Sequence, residues 1–291
     1  MGDEFDFGRA RRLLEENGFS FRHDLGQNFL TNAGVLKKIA GACGTDRGSG
    51  VLEIGPGAGS LTYYLAQEYR KVVAVEIDSR LMPVLAGTLD QTNIKILNED
   101  FLKTDLDGLI EREFDGMRVS VCANLPYYVT TPILVKLVES GIKFESIVVM
   151  VQSEVADRFC AAPGSGDYGA ITVFLNYFGK AERLFTVSPD KFVPMPKVSS
   201  AVVRITPAGK PASAPEDRER LFKVVTAAFS QRRKTLLNAL ASTFKGLGKP
   251  EIAGIIAKCG FRPDIRGERL SLDDFSRLAD EIFSSIAAKT E

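Results

Sequence analysis

Val51-Leu52-Glu53-Ile54-Gly55-Pro56-Gly57-Ala58-Gly59-Ser60-Leu61-Thr62 runs from a short apolar, β-branched segment through a turn with glycine at every second position into a helical pattern. Glycine lets the backbone adopt positive φ and approach a ligand closely. The spacing is GxGxG, not the GxGxxG of dinucleotide-binding turns. A turn of this kind alone is also compatible with a purely structural strand–helix connection, so the flanking segments have to decide. The next predicted strand ends in Val75-Glu76-Ile77-Asp78. It offers Glu76 at the position from which an acid can accept from both hydroxyls of a ribose. A third ends in Asn98-Glu99-Asp100-Phe101, where Asp100 can accept from an adenine amino group and Phe101 can flank the ring. Three successive strand ends thus supply Gly55, Gly57 and Gly59, a ribose acid and an adenine acid. No pyrophosphate is required by this set, so S-adenosyl-L-methionine fits better than a dinucleotide.

Outward from this segment, β-branched runs alternate with helical patterns. Strands are predicted at Val51–Ile54, Lys71–Ile77, Ile94–Leu97, Val119–Ala123, Ser146–Val151, Ile171–Tyr177 and Ser200–Ile205. Helices are predicted at Ala33–Ala42, Leu61–Glu68 and Pro132–Glu139. That alternation argues for a doubly wound, mainly parallel sheet. Thr206–Pro215 is rich in Pro, Ala and Ser and lacks apolar periodicity, which reads as a linker. Beyond it the strands stop, and Glu216–Phe244, Pro250–Cys259 and Leu272–Ala287 read as helices. The expected organisation is a cofactor-binding catalytic domain with an N-terminal arm over residues 1–206, a linker at 207–215 and a helical domain over 216–291.

Composition excludes several classes. Of 291 residues, 45% are hydrophobic and 25% charged, as in an ordinary globular protein. No apolar run approaches the roughly 20 residues that span a bilayer, and the N-terminus is acidic without an apolar signal core, so a cytoplasmic protein with no membrane partner is expected. Cys43, Cys122, Cys160 and Cys259 are scattered and read as free thiols, and the single histidine, His23, cannot build a histidine metal site. No metal is expected, and hydrolysis through a histidine base is disfavoured. The 37 basic and 37 acidic residues cancel, but from Ile205 onward 15 Lys and Arg face 11 Asp and Glu. Nucleic-acid binding therefore needs a focused basic patch.

The end of the fourth predicted strand carries Asn124-Leu125-Pro126-Tyr127. The Asn124 amide oxygen and the Leu125 carbonyl can accept from an exocyclic amine. Pro126 fixes its own φ and brings no N–H, and Tyr127 gives a base a face to stack on. An ordinary turn is the competing interpretation, because Asn and Pro are common turn residues.

With both motifs in hand, the chain closely resembles the rRNA adenine N6,N6-dimethyltransferase family in its bacterial small-subunit branch. The resemblance covers nearly the whole chain. It is carried by Leu25-Gly26-Gln27-Asn28-Phe29-Leu30, by Glu53–Thr62, and by Asn124 through Pro132. It continues in Gln152–Arg158, Phe192–Ser200 and Ala228–Leu236, all in family order. The resemblance implies a class I S-adenosylmethionine-dependent methyltransferase: a Rossmann-like, seven-stranded, mainly parallel sheet with a small all-α C-terminal domain. It implies that Asn28, Leu30, Gly55, Gly57, Gly59, Glu76, Asp100, Phe101 and Asn124 hold the cofactor. Asn124, Leu125, Pro126, Tyr127 and Phe192 would hold the base, with Tyr127 and Phe192 on opposite faces. The implied reaction dimethylates N6 of two adjacent adenosines in a hairpin near the 3′ end of 16S rRNA in immature small ribosomal subunits, by a monomeric enzyme. His23-Asp24 and Ala170 depart from the family pattern at positions outside this chemistry.

In the C-terminal region Leu221, Val225, Ala228, Leu236 and Leu240 form an apolar stripe. Arg232, Arg233 and Lys234 interrupt it, with Arg262, Arg266 and Arg269 downstream, and this favours an rRNA-backbone contact over a solvated charge run. Large-subunit rRNA adenine methylation is the neighbouring alternative. A ribosome-assembly factor that acts mainly by binding is the non-enzymatic one.

Overall fold

The computed structural model describes residues 4–19, 28–44, 47–125, 129–208, 218–231 and 233–289. Its strands are β1 (Phe29–Leu30), β2 (Gly50–Ile54), β3 (Lys71–Glu76), β4 (Ile94–Asn98), β5 (Val119–Asn124), β6 (Ile147–Gln152), β7 (Gly179–Val187), β8 (Phe192–Val193) and β9 (Ser200–Pro207). Helices α1 (Phe7–Glu16), α2 (Ala33–Ala42), α3 (Ser60–Glu68), α4 (Met82–Thr88), α5 (Leu106–Phe114), α6 (Thr130–Glu139) and α7 (Ser153–Phe159) are interleaved with the earlier strands. Later helices are α8 (Ala170–Phe178), α9 (Arg218–Phe229), α10 (Leu236–Thr243), α11 (Lys249–Lys258) and α12 (Leu272–Ala287).

Seven strands form one sheet in the order β4-β3-β2-β5-β6-β9-β7. The five from β4 to β6 are parallel, and β9 runs antiparallel to β6. The buried strands β2, β3, β5 and β6 are near-continuous apolar runs, as a sheet covered on both faces requires. After β2 the chain builds outward through β3 and β4 and then returns to β5, so a topological switch point lies between β2 and β5. Register then aligns the functional ends. Ile54 pairs with both Val75 and Ala123, which places Gly55, Glu76 and Asn124 at one edge.

Two compact units emerge. One comprises Met1–Ala156 with Ala181–Pro207; the other comprises Asp157–Lys180 with Ala208–Glu291. Residues 157–180, expected in the catalytic domain, belong to the second unit because Tyr168 and Val173 are buried in the core of the C-terminal helices. The Tyr168 hydroxyl also donates to Leu270 O at 2.9 Å.

Two expected elements differ. Ile171–Tyr177 is helix, not strand. Its run is apolar on both faces, a pattern that does not separate strand from buried helix. Phe174, Tyr177 and Phe178 share one side of α8 and close on Phe222, with Phe174–Phe222 centroids 5.0 Å apart. The seventh strand is instead β7, whose Lys180, Glu182 and Arg183 give it the charged character of a sheet edge. The expected long helix Glu216–Phe244 is two helices, because Thr235 caps a fresh start at α10 by accepting from Asn238 N. Of the linker expected at 207–215, Pro207 ends β9 and residues 209–215 lie outside the described residues.

Candidate active site

One cavity opens at the C-terminal edge of the parallel strands, at the switch point. Its floor is the turn after β2. Gly57 has φ +60°, and a Cβ there would lie 2.9 Å from the Phe29 ring, so glycine is required twice over. Gly55 also lines the cavity. Gly59 does not: it has φ +89°, starts α3, and packs where a Cβ would press on Leu89.

Glu76, at the end of β3, ties this turn to its strand. One carboxylate oxygen accepts from Asp78 N at 2.8 Å and the other from Gly57 N at 3.2 Å. Burial raises its carboxyl above the ordinary range, partly offset by those N–H donors. Asp100 sits in the turn after β4, where Oδ1 accepts from Leu102 N at 3.0 Å and organises the loop. Phe101 beside it is buried and lines the cavity, while Ile77 and Leu102 leave apolar surface exposed at the rim.

The opposite wall is built from distant sequence. β1 and β8 form a two-residue antiparallel ladder that pairs Leu30 with Phe192 and Phe29 with Val193. Thr31 N donates to Lys191 O at 2.9 Å, and Ser60 Oγ holds Leu30 O at 3.1 Å. Asn28, Leu30 and Phe192 therefore all reach the cavity. Asn124, at the end of β5, donates its amide N–H to Asn28 O at 3.4 Å. This engages Nδ2 and leaves Oδ1 able to accept a hydrogen bond. Leu125 is buried with its N–H on Met150 O, so its carbonyl is the group to offer. Pro126 and Tyr127 lie outside the described residues, as does Arg232. Arg233 and Lys234 are exposed in the second unit, on the turn that precedes α10.

Glu53 was not singled out from sequence. It is 1% exposed, lines the cavity, and has a buried Oε2 with no hydrogen-bond partner. Burial pushes its carboxyl up to about 8; the Thr62 hydroxyl opposes this shift and the Glu76 charge adds to it. The available signal was an acid inside the apolar strand Val51-Leu52-Glu53-Ile54.

The cavity's charge discriminates between cofactors. Glu76, Asp78, Glu99 and Asp100 line it beside Glu53, whose carboxyl burial favours in the protonated form, and among the described residues no Lys, Arg or His does. A pyrophosphate would meet only like charge there, whereas a nucleoside carrying a sulfonium and an ammonium is matched. Sheet order, glycine turn and acidic cavity together define a class I S-adenosylmethionine-dependent methyltransferase.

Comparison with known proteins narrows this class. The family model of the ribosomal RNA adenine dimethylases matches residues 18–254. Ribosomal RNA small subunit methyltransferase A of Shouchella clausii is 45% identical over 281 residues, covering 96% of this chain and 95% of that protein. The protein of the same name from Streptococcus pneumoniae is 44% identical over 284 residues, covering 95% and 97%. Among solved structures, a dimethyladenosine transferase from Plasmodium falciparum superposes with a TM-score of 0.71 at 26% identity, covering 88% of this chain and 98% of that one. The 23S rRNA methyltransferase ErmE gives 0.66 at 25% identity, covering 88% and 99%. The chain belongs to the ribosomal RNA adenine dimethylase family. It is an S-adenosylmethionine-dependent adenine methyltransferase with rRNA as its substrate. Among the described residues no helix is long and apolar enough to cross a membrane.

Proposed function

We propose that this enzyme dimethylates N6 of two adjacent adenosines in the 3′ hairpin of 16S rRNA, acting as a cytoplasmic monomer on immature small subunits. The observation that carries the proposal is the meeting of Glu76, Asp100, Asn124 and Phe192 around one acidic cavity, in a chain whose 43–46% identical relatives are named for the small subunit.

S-adenosylmethionine supplies an electrophilic methyl group. The chain's residues bind and orient. Glu76 accepts from the ribose, Asp100 accepts from the adenine amine, and Phe101 covers the ring. Gly55 and Gly57 allow close backbone approach, and Asn28 and Leu30 complete the wall. Gly59 supports this cradle indirectly by starting α3.

Adenine N6 is a weak nucleophile because its lone pair is delocalised into the ring. Accepting its two hydrogens at Asn124 Oδ1 and the Leu125 carbonyl favours a pyramidal nitrogen and fixes its direction, which is positioning catalysis. The aminium cation left at N6 by methylation is acidic and would pass its proton to water, so no histidine base is required. Extruding the target base costs a few kcal/mol, and stacking returns about 1–3 kcal/mol per base. A clamp of Tyr127 and Phe192 therefore offsets extrusion, and Pro126 brings a fixed φ and no N–H. In the second unit, the backbone bond from Leu236 N to Ile265 O at 2.7 Å joins the turn bearing Arg233 and Lys234 to the loop bearing Arg262, Arg266 and Arg269. This basic surface is assigned to the rRNA backbone, as is Arg232, which lies outside the described residues.

Labelled S-adenosylmethionine supplied with undermethylated small subunits, large-subunit rRNA and duplex DNA tests the assignment. Dimethyladenosine is expected only in the first; label in either of the others refutes it.

A further inference from the structure

Lys136 is half-buried on α6, the helix that begins at Thr130, shortly after Asn124 and Leu125 in the sequence. Its ammonium donates to three backbone carbonyls: Phe101 O at 2.8 Å, Leu102 O at 3.0 Å and Thr104 O at 2.5 Å. An ammonium has three N–H donors and no acceptor, so these three bonds use its full capacity. Its charge also lies 5.3 Å from the centroid of the Phe101 ring. No carboxylate within ion-pair distance holds it among the described residues; burial lowers its pKa below the ordinary lysine value, partly opposed by the charges of Asp100 and Asp105.

The carbonyls belong to a turn, not to the C-terminus of a helix, so a helix dipole does not explain the contact. The turn is the one that presents Asp100 and Phe101 to the cavity. Its other fastenings are local: Leu102 N to Asp100 Oδ1, Lys103 N and Thr104 N to Asp100 O, and the Thr104 hydroxyl to Glu99 and Asp100. Such bonds shape the turn without fixing it to the rest of the protein. At its start Glu99 N donates to Glu76 O at 3.0 Å, and beyond that point, among the described residues, Lys136 is the side chain that ties residues 101–104 to an element some thirty residues away in sequence.

We propose that Lys136 is a positioning residue of the cofactor site, fastening the Asp100–Phe101 turn to α6 so that the adenine-recognising acid and ring are held in place before the cofactor arrives. This rests on the assignment of Asp100 to the adenine amine. It assigns to α6 a second duty, as the anchor of the adenine pocket, beyond carrying the chain away from Asn124.

Lys136→Met keeps the stem and removes every donor. Its binding of S-adenosylhomocysteine should be measured by calorimetry beside S-inosylhomocysteine, which has a 6-oxo group where Asp100 expects an amine. The wild-type protein should prefer the adenosyl ligand. K136M should lose roughly ten- to a hundredfold for it and less than about threefold for the inosyl ligand, so that discrimination collapses. KM for the methyl donor should rise by a similar factor with kcat nearly unchanged, and amide exchange at residues 101–105 should accelerate. Lys136→Arg, which keeps charge and donors, should restore part of the discrimination. Should K136M fail to fold, K136Q with two donors carries the same test at smaller amplitude. Equal losses for both ligands, or unchanged adenosyl binding, would overturn the role of Lys136. Absence of discrimination in the wild-type protein would instead overturn the adenine assignment of Asp100.

Discussion

Replacing Glu53 with Gln should remove a large pH-dependent penalty from the fold. The Glu53 carboxyl is buried in β2 with one oxygen unpartnered, and its pKa is pushed up from the ordinary 4.5 to about 8. The folded state therefore holds a proton between these two values that the unfolded chain has released. Stability from this group is complete below pH 4.5 and is lost as pH rises, by about 1.4 kcal/mol for each pH unit until about 8. Across the window that amounts to about 5 kcal/mol as a ceiling, reduced when water or side chains relax around the ionised group. Glutamine has nearly the shape of the protonated acid, so E53Q should match the wild type at pH 5 and exceed it increasingly toward pH 8. Urea unfolding of the cofactor-free proteins at pH 5, 6, 7 and 8 measures the difference. Parallel curves for the two proteins across that range would refute the assignment of a protonated, buried Glu53. The same reasoning predicts proton release on cofactor binding, because a cationic ligand in this cavity favours the carboxylate. The heat of binding should then vary with the buffer's ionisation enthalpy more steeply in the wild type than in E53Q, where only Glu76 keeps a raised pKa at the site.

Asn124→Ala should reduce kcat by about a hundredfold or more, through loss of the acceptor that orients the amine. Label transfer to undermethylated small subunits, followed at saturating cofactor, gives the number, and a less than threefold change would remove Asn124 from the chemistry. If small-subunit maturation proceeds normally with this variant, any assembly role is separable from methyl transfer. Charge reversal of Arg233 and Lys234, both exposed before α10, should weaken rRNA binding and flatten its dependence on log salt by about 1–2. Filter binding across a salt series decides this, and an unchanged slope would take the pair out of the interface.

Much of the catalytic half was legible in the sequence because parallel strands buried on both faces are written as apolar runs whose ends fall on Gly, Asp, Glu and Asn. The run before Gly55, and those ending in Glu76, Asn98 and Asn124, all emerge as neighbouring strands with their ends at one cavity. Glu53 was missed because a buried acid within a strand reads as a lapse in hydrophobicity until its surroundings are known. The segment 171–177 misled because Val, Thr, Phe and Tyr favour strands on average, while the aromatic contacts that hold α8 against Phe222 come from more than forty residues away. Strand β7 was hidden by its charges, which suit an edge and imitate a loop. Lys136 has no local signature at all: its three partners are set only by the packing of α6 beside the turn after β4.

The ladder between β1 and β8 has a consequence for synthesis. It joins residues 29–30 to residues 192–193, and the supporting bond from Thr31 to Lys191 spans 160 positions. At about 5–20 residues per second, the first half of this wall waits roughly ten to thirty seconds for the second to be made. A growing chain can lay down β2 to β5 and the glycine turn meanwhile, but Phe192 is still missing. If Phe192 clamps the base as proposed, a chain still short of it cannot hold its substrate, and methyl transfer waits until about two-thirds of these 291 residues have been translated.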